Sequence, residues 1–497
     1  MTMRVRTRLH LVISLLLLGT GSLVSAQQQL GPEQPTTPRN QVELKNKAPV
    51  SKDILKVKLP RATEATLSNG LTVLIIEDHR LPLISIQYSI GASGPIFEPA
   101  NMVGLARITA QMMTEGTKTR SSLKISEDVE RLGAALSVSS SYGSTVSLLT
   151  ASGLSDNFDK WFELANDVLL NPTFPASELD RRKQQLSVAL RQQRTSAEFL
   201  MSERFSRAVY GDHPASNVTT NQGTVDALTP AILAKWHDDR YAPQNTILGI
   251  AGDVKPTELV PKLERLLAGW KRTDLKEALP PNPRPSTQRK VYLVDRPDSV
   301  QTSIVMGNIA IDRRDPDYFV MVALNQVLGG GGAGRLFKNL REENGYTYGA
   351  YSSFSARKFP GPWNASAEVR TEVTDGALTE FIKELQRMRD QPVSEQELDD
   401  AKRAIVASFA LSLENPDDLV NYALTRKIYD LPEDYWDAYP ARLTAVTAAD
   451  IQRVARKYID PQTMQIVAVG DGSRIRSVLE KYGAVERYDV QGKKLTN

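Results

Sequence analysis

The sequence predicts an α+β protein of two homologous tandem domains, each a mainly antiparallel sheet with helices packed on it. The first observation behind this is an internal repeat. Arg240-Tyr241-Ala242-Pro243-Gln244-Asn245-Thr246, followed by an apolar stretch ending at Gly252-Asp253, returns 218 residues on. The second copy reads Lys457-Tyr458-Ile459-Asp460-Pro461-Gln462-Thr463, with an apolar stretch ending at Gly470-Asp471. Glu178-Leu179-Asp180 returns as Glu397-Leu398-Asp399, and Thr229 as Thr447, so three matches share essentially one spacing and indicate two copies of one unit. The second observation is Leu279-Pro280-Pro281-Asn282-Pro283-Arg284-Pro285, whose four prolines suit neither a helix nor a sheet interior and read as a stiff linker. The third is the order of patterns within a copy: strands, then helices, then a closing strand, unlike the alternation of a doubly wound fold.

Taken in order, residues 1–26 read as a signal peptide. Arg4, Arg6 and Arg8 precede an apolar run, Leu11 to Leu18, that is short for a bilayer, and Val24-Ser25-Ala26 gives the small-residue cleavage pattern. An uncleaved anchor is the alternative. Residues 27–61, rich in Gln, Pro, Asn and Lys without apolar periodicity, read as an extended leader. The first domain, 62–273, opens with alternating β-branched stretches at Leu71 to Ile76 and Leu83 to Ile90, expected to pair as strands next to the turn-forming Asn69-Gly70. Phe158, Phe162, Ala165 and Leu169 mark one face of a helix. After the linker at 274–289, the second domain occupies 290–490. There Leu378, Phe381, Leu385 and Met388 mark the matching helix, with Asp375 as its expected N-cap.

Composition removes several classes of function. At 41% hydrophobic and 24% charged residues, the chain is neither disordered nor a multispanning membrane protein. The absence of Cys excludes disulfide frameworks, thiolate zinc sites, a Cys nucleophile and a lipoprotein anchor. Any metal site would draw on carboxylates and only four His. The first 26 residues carry three Arg and no acid, so their removal leaves 58 basic and 58 acidic residues. With no polybasic block left, nucleic acid and anionic lipid are poor partners, and no stable membrane span is expected after cleavage. The expected location is outside the cytoplasm, in the periplasm.

The segment Gly104-Leu105-Ala106-Arg107-Ile108-Thr109-Ala110-Gln111-Met112-Met113-Thr114-Glu115-Gly116-Thr117-Lys118 resembles the signature helix of the pitrilysin/insulinase zinc peptidases, the family that includes the mitochondrial processing peptidase subunits. Leu169-Leu170-Asn171-Pro172-Thr173-Phe174, Tyr210-Gly211-Asp212-His213-Pro214 and both Gly-Asp strands agree, and the likeness spans roughly residues 62 to 490. The resemblance implies two domains forming a half-shell around a cavity. In the family the helix carries H-x-x-E-H, two His that share zinc and a Glu that polarises the bound water. Here Ala106, Thr109 and Ala110 occupy those positions. The third family ligand, an acid downstream, falls near Ala189, within Arg182 to Arg194, a stretch with no acid. Of the remaining His, His79, His213 and His237 have no second His at helical spacing and read as surface or structural residues, and His10 leaves with the signal peptide. No metal ligand and no catalytic base are therefore expected in this chain, and no cofactor bound by it.

The second half keeps more of the family pattern. Gly329, Gly330, Gly331 and Gly332, then Arg341 and Tyr348 seven apart, resemble the glycine-rich loop and Arg/Tyr pair that contact the substrate in active relatives. A guanidinium and a phenol can hold a peptide backbone, and a developing oxyanion more strongly. Asn344-Gly345 is expected to end the preceding helix, placing Tyr348 at the start of a strand. For the glycine run a structural turn and a phosphate cradle are the alternatives, the latter without a G-K-[ST] ending. For Arg341 and Tyr348 the alternative is a capping Arg and a cross-strand aromatic among Tyr346, Tyr351 and Phe354.

The resemblance implies a non-zinc-binding subunit of a heteromeric metallopeptidase. Zinc and H-x-x-E-H would be expected in a partner subunit of the same family, with extended peptides as substrates, and this chain inactive alone. The alternative is an inert scaffold or peptide-binding protein on the same fold.

Overall fold

The computed structural model describes residues 59–275 and 278–496, so the signal-peptide and most of the leader expectations lie outside the described residues. Its strands are β1 (Thr63–Thr66), β2 (Thr72–Glu77), β3 (Leu83–Gly91), β4 (Ala135–Ser139), β5 (Val146–Leu154) and β6 (Thr246–Gly252) in the first half. The second half holds β7 (Lys290–Asp295), β8 (Gln301–Ile309), β9 (Thr347–Ala356), β10 (Pro360–Arg370), β11 (Gln465–Gly470) and β12 (Val485–Tyr488). They form two six-stranded sheets, β1-β2-β6-β3-β5-β4 and β12-β7-β11-β8-β10-β9.

Both sheets are mixed rather than purely antiparallel. β6 runs parallel to β2, and β11 and β12 run parallel to β7, while every other pairing is antiparallel. The expectation that β2 and β3 pair with each other fails for the same reason. The repeated Gly-Asp strand inserts between them: β6 pairs with β2 on one side and β3 on the other, and β11 does likewise between β7 and β8. Gly252 shows how tightly this strand is inserted. Its φ is 129°, and a Cβ there would lie 2.0 Å from the Leu83 carbonyl oxygen, so only glycine fits.

Each sheet is covered on one face by its own half's helices. In the first half these include Phe158–Leu170, with Phe158, Phe162, Ala165 and Leu169 all buried, and Pro230–Arg240. In the second, Leu378, Phe381, Leu385 and Met388 are fully buried on Thr374–Asp390. Asp375 is not its N-cap. It lies one residue inside the helix, behind Val373 and Thr374, and its carboxylate takes Lys481 and the Tyr482 hydroxyl instead. Thr229 and Thr447 do cap their helices, accepting from the Ile232 and Asp450 amides.

The opposite faces are covered by an exchange. Helix Ala197–Tyr210, from the first half, lays Leu200, Phe205 and Val209 on Tyr292, Val294, Val305, Ile309, Val467 and Val469 of the second sheet. Helix Pro416–Ile428, from the second half, lays Leu419, Val420 and Leu424 on Leu74, Ile76 and Ala251 of the first. Each half therefore completes the other's core. A further tie is Phe359, fully buried at the β9–β10 turn and packed with Ile96, Ala215, Tyr210 and His213 of the first half.

Candidate functional site

The motif helix, Leu105–Met112, starts behind Gly104, whose φ of 99° suits glycine. Glu98 caps it: one carboxylate oxygen accepts from the Gly104 amide and the other from the Ala106 amide, both at 2.7 Å. Burial pushes the Glu98 carboxyl up to about 7, against the pull of those two amides and of Arg240. Ala106, Thr109 and Ala110 are fully buried. The Thr109 hydroxyl has no hydrogen-bond partner among the described residues, so the general-base position holds a neutral alcohol. Helix Ala176–Gln192 buries only Leu179 and leaves Ala189 exposed. It is tied to the far end of the motif helix where Arg181 and Arg182 grip Glu115 at 2.8 and 3.2 Å.

A zinc ion of the family's kind does not fit these residues. Two methyl groups and one alcohol offer no imidazole or carboxylate, and the stretch Arg182 to Arg194, where the family's third ligand would fall, adds none. Among the described residues no group of three or more His, Asp or Glu is arranged to hold a metal. Each of the three described histidines has a local role. His79 lies between Asp253 (2.6 Å) and Glu77 (2.7 Å) on the surface, and those carboxylates raise its pKa. His213 Nδ1 accepts from the Ala215 amide and its ring packs on Tyr210 and Phe359. His237, buried, donates from Nε2 to the Leu169 carbonyl and stacks on Tyr241; burial lowers its pKa.

In the second half, helix Tyr318–Gly329 leads into the glycine run, then a short helix Arg335–Phe337, a π-helical turn Lys338–Glu343, and β9, the end strand of its sheet. Arg335 is buried and bidentate on Glu397, at 2.8 and 3.0 Å, which pins the loop to the capping box of helix Glu395–Ser412. The π turn is held by Asn339. Its amide donates to Glu380 and Glu384 at 2.8 and 2.9 Å, and its carbonyl oxygens accept from the Asn344 amides. Gly345, at φ 63°, then reverses the chain into β9 as expected.

This arrangement brings Arg341 and Tyr348 together. Arg341 Nη1 donates to the Tyr348 carbonyl at 2.7 Å, while the Tyr348 ring projects with 87% of its surface exposed. The Arg341 guanidinium also sits 4.9 Å from the centre of the Phe337 ring. The four glycines divide into two kinds, and none has positive φ. At Gly329 a Cβ would meet the Ser352 amide nitrogen at 2.5 Å, and at Gly330 it would meet Gln326, so these two serve packing. Among the described residues nothing lies within 4 Å of a Cβ added at Gly331, and only the Phe337 ring, at 3.9 Å, near one at Gly332. Sequence reasoning missed Glu98 and Asn339. Neither carried a local signal: Glu98 lies outside the positions where caps are read, and both act through contacts that only the fold makes.

Comparison with known proteins gives a consistent result. Residues 72–223 match the family profile described as "Insulinase (Peptidase family M16)", and residues 227–405 the one described as "Peptidase M16 inactive domain". An "Uncharacterized zinc protease" of Rickettsia bellii is 24% identical over 399 residues, covering 79% of this chain and 93% of its own. One of Bacillus subtilis is 22% identical over 352 residues, covering 70% and 84%. Among solved structures, a peptidase M16 inactive domain from Pseudomonas fluorescens superposes with a TM-score of 0.77 at 26% identity, covering 82% of this chain and 98% of that one. A protease from Helicobacter pylori has the same fold, with a TM-score of 0.76 at 19% identity, covering 83% and 100%.

Proposed function

Because the chain belongs to the insulinase family, peptidase family M16, we propose that it is the non-zinc-binding subunit of a secreted, periplasmic metallopeptidase, and that it binds and orients peptide for a partner of the same family carrying H-x-x-E-H. The observation that carries this reading is the contrast between the two halves. The first lacks every group a zinc hydrolase needs at Ala106, Thr109 and Ala110, while the second presents Arg341, Tyr348 and two unobstructed glycines beside an end strand. An end strand offers unpaired backbone groups to which an extended peptide can add. Zinc, water and base would come from the partner; this chain's share is binding and polarisation of the peptide carbonyl.

A second reading, a binding or scaffold protein without a catalytic partner, draws support from Arg341 itself, which already spends one nitrogen on the Tyr348 carbonyl. A native pull-down of the tagged mature chain separates the two. A stoichiometric relative bearing H-x-x-E-H is expected, and the pair, unlike this chain alone, should contain zinc and cleave peptides. Purification of this chain alone, or tight one-to-one zinc on it, overturns the proposal. Among the described residues no helix is long and apolar enough to cross a membrane.

A further inference from the structure

The surroundings of Tyr348 hold more aromatic surface than backbone recognition needs. Tyr351, three residues further along β9, is 46% exposed, and alternation sends it away from the buried Ala350 and Ser352. Its ring folds back along the strand over Gly349, where a Cβ would lie 2.6 Å from Tyr351 Cε2 and 2.8 Å from its hydroxyl. Only a glycine allows that posture. The Tyr351 ring then lies 5.9 Å from the Phe337 ring, which also carries the Arg341 guanidinium and approaches Gly332. Phe337, Tyr351 and Gly349 thus form a platform bounded by the cation on one side and the open end of the glycine run on the other.

We infer that this platform is a side-chain subsite selecting peptides with an aromatic residue at the position that passes Tyr351. The inference rests on the peptide-binding reading of β9 and deepens it. Exposed aromatic surface beside an unpaired strand edge is costly to leave wet, and ring-on-ring contact is what it offers a partner. An extended peptide added to β9 sends alternate side chains to the same face as Tyr351. A flat ring gains from Phe337 and Tyr351, whereas a small side chain leaves them uncovered. A lysine or arginine at that position would meet Arg341 at close range, so a basic residue is disfavoured.

The test uses the full mature chain, and its pair once captured, with a fluorescein-labelled nine-residue peptide of otherwise small neutral residues whose central position is Phe, Ala or Lys. Fluorescence polarisation is expected to show Phe binding about tenfold tighter than Ala, with Lys weakest. Tyr351→Ser should collapse the Phe-to-Ala ratio to about twofold, and Phe337→Leu should reduce it in part. A circular-dichroism melt matching the wild type confirms that each variant is folded. If all three peptides bind alike, or if the ratio survives Tyr351→Ser, the subsite is overturned while peptide binding stands. If no peptide binds to the chain or to the pair, the peptide-binding reading falls and takes the subsite with it.

Discussion

The exchanged helices make Gly249 a sharp test of how the halves are joined. Gly249 lies in the middle of β6, under helix Pro416–Ile428. A Cβ there would sit 2.6 Å from Val420 Cγ1 and about 3.1 Å from Leu424 Cγ, against an ordinary carbon contact of roughly 3.5–4 Å. Gly249→Ala should therefore overpack the joint and cost about 1–3 kcal/mol. Val420→Ala, at a site 2% exposed, removes Cγ1, the atom of the tightest clash, and costs about 1–3 kcal/mol by itself. If the helix seats as described, the new methyl fills the space the valine leaves. The double variant should then lose clearly less than the sum of the two single costs, a coupling of about 1–2 kcal/mol, with the Leu424 contact leaving part of the cost in place. Urea titrations of the four proteins, followed by tryptophan fluorescence and circular dichroism, give the cycle. Costs that add within about 0.5 kcal/mol would refute the packing of this helix on β6.

Three further outcomes follow from charged groups. Glu98, at about 7 in the folded chain against an ordinary 4.5, keeps a proton that the unfolded chain has lost. Stability should thus fall by about 3 kcal/mol as pH rises from 4.5 to 7 and then level off, and Glu98→Gln should remove that slope in pH-dependent melts; an unchanged slope sinks the assignment. Glu397, held at about 2 chiefly by Arg335, contributes stability present above pH 4.5 and lost as pH falls towards 2. Screening at this partly exposed site leaves roughly 1–2 kcal/mol of it, so Glu397→Gln should flatten the acid limb between those values. His79 should titrate above 6.5 in NMR spectra, Glu77→Gln and Asp253→Asn should each lower that value, and its contribution to stability is present below 6.5 and fades as pH rises through the raised pKa.

How far the sequence could be read depended on whether a signal was local. The helix faces of Phe158–Leu170 and Thr374–Asp390 and the turn at Gly345 are written in local spacings, and each formed as expected. The β2–β3 pairing failed because strand patterns show which residues face the core but not which strand lies alongside. The β6 insertion involves a partner some 160 residues away. Asp375 failed as a cap because two non-local partners, Lys481 and Tyr482, took its carboxylate. At the candidate site, Arg341 and Tyr348 were singled out by the resemblance of their stretch to the family, and the fold sets them in contact. The Phe337–Tyr351 platform was not, since it depends on a side chain folding back over Gly349.

The exchanged helices also impose a timetable on synthesis. The first sheet is complete in sequence once Gly252 has been made, but Leu74, Ile76 and Ala251 stay uncovered until helix Pro416–Ile428 emerges. At about 5–20 residues per second, that interval is roughly 9–35 s, long compared with collapse or hairpin formation. Helix Ala197–Tyr210, already made, meanwhile waits with Leu200, Phe205 and Val209 bare until β7, β8 and β11 arrive. A nascent first half therefore carries two apolar surfaces that nothing in its own sequence can bury. Chaperones that hold exposed apolar chain would meet it there, and truncation anywhere before residue 428 would leave a sticky fragment rather than a smaller folded protein.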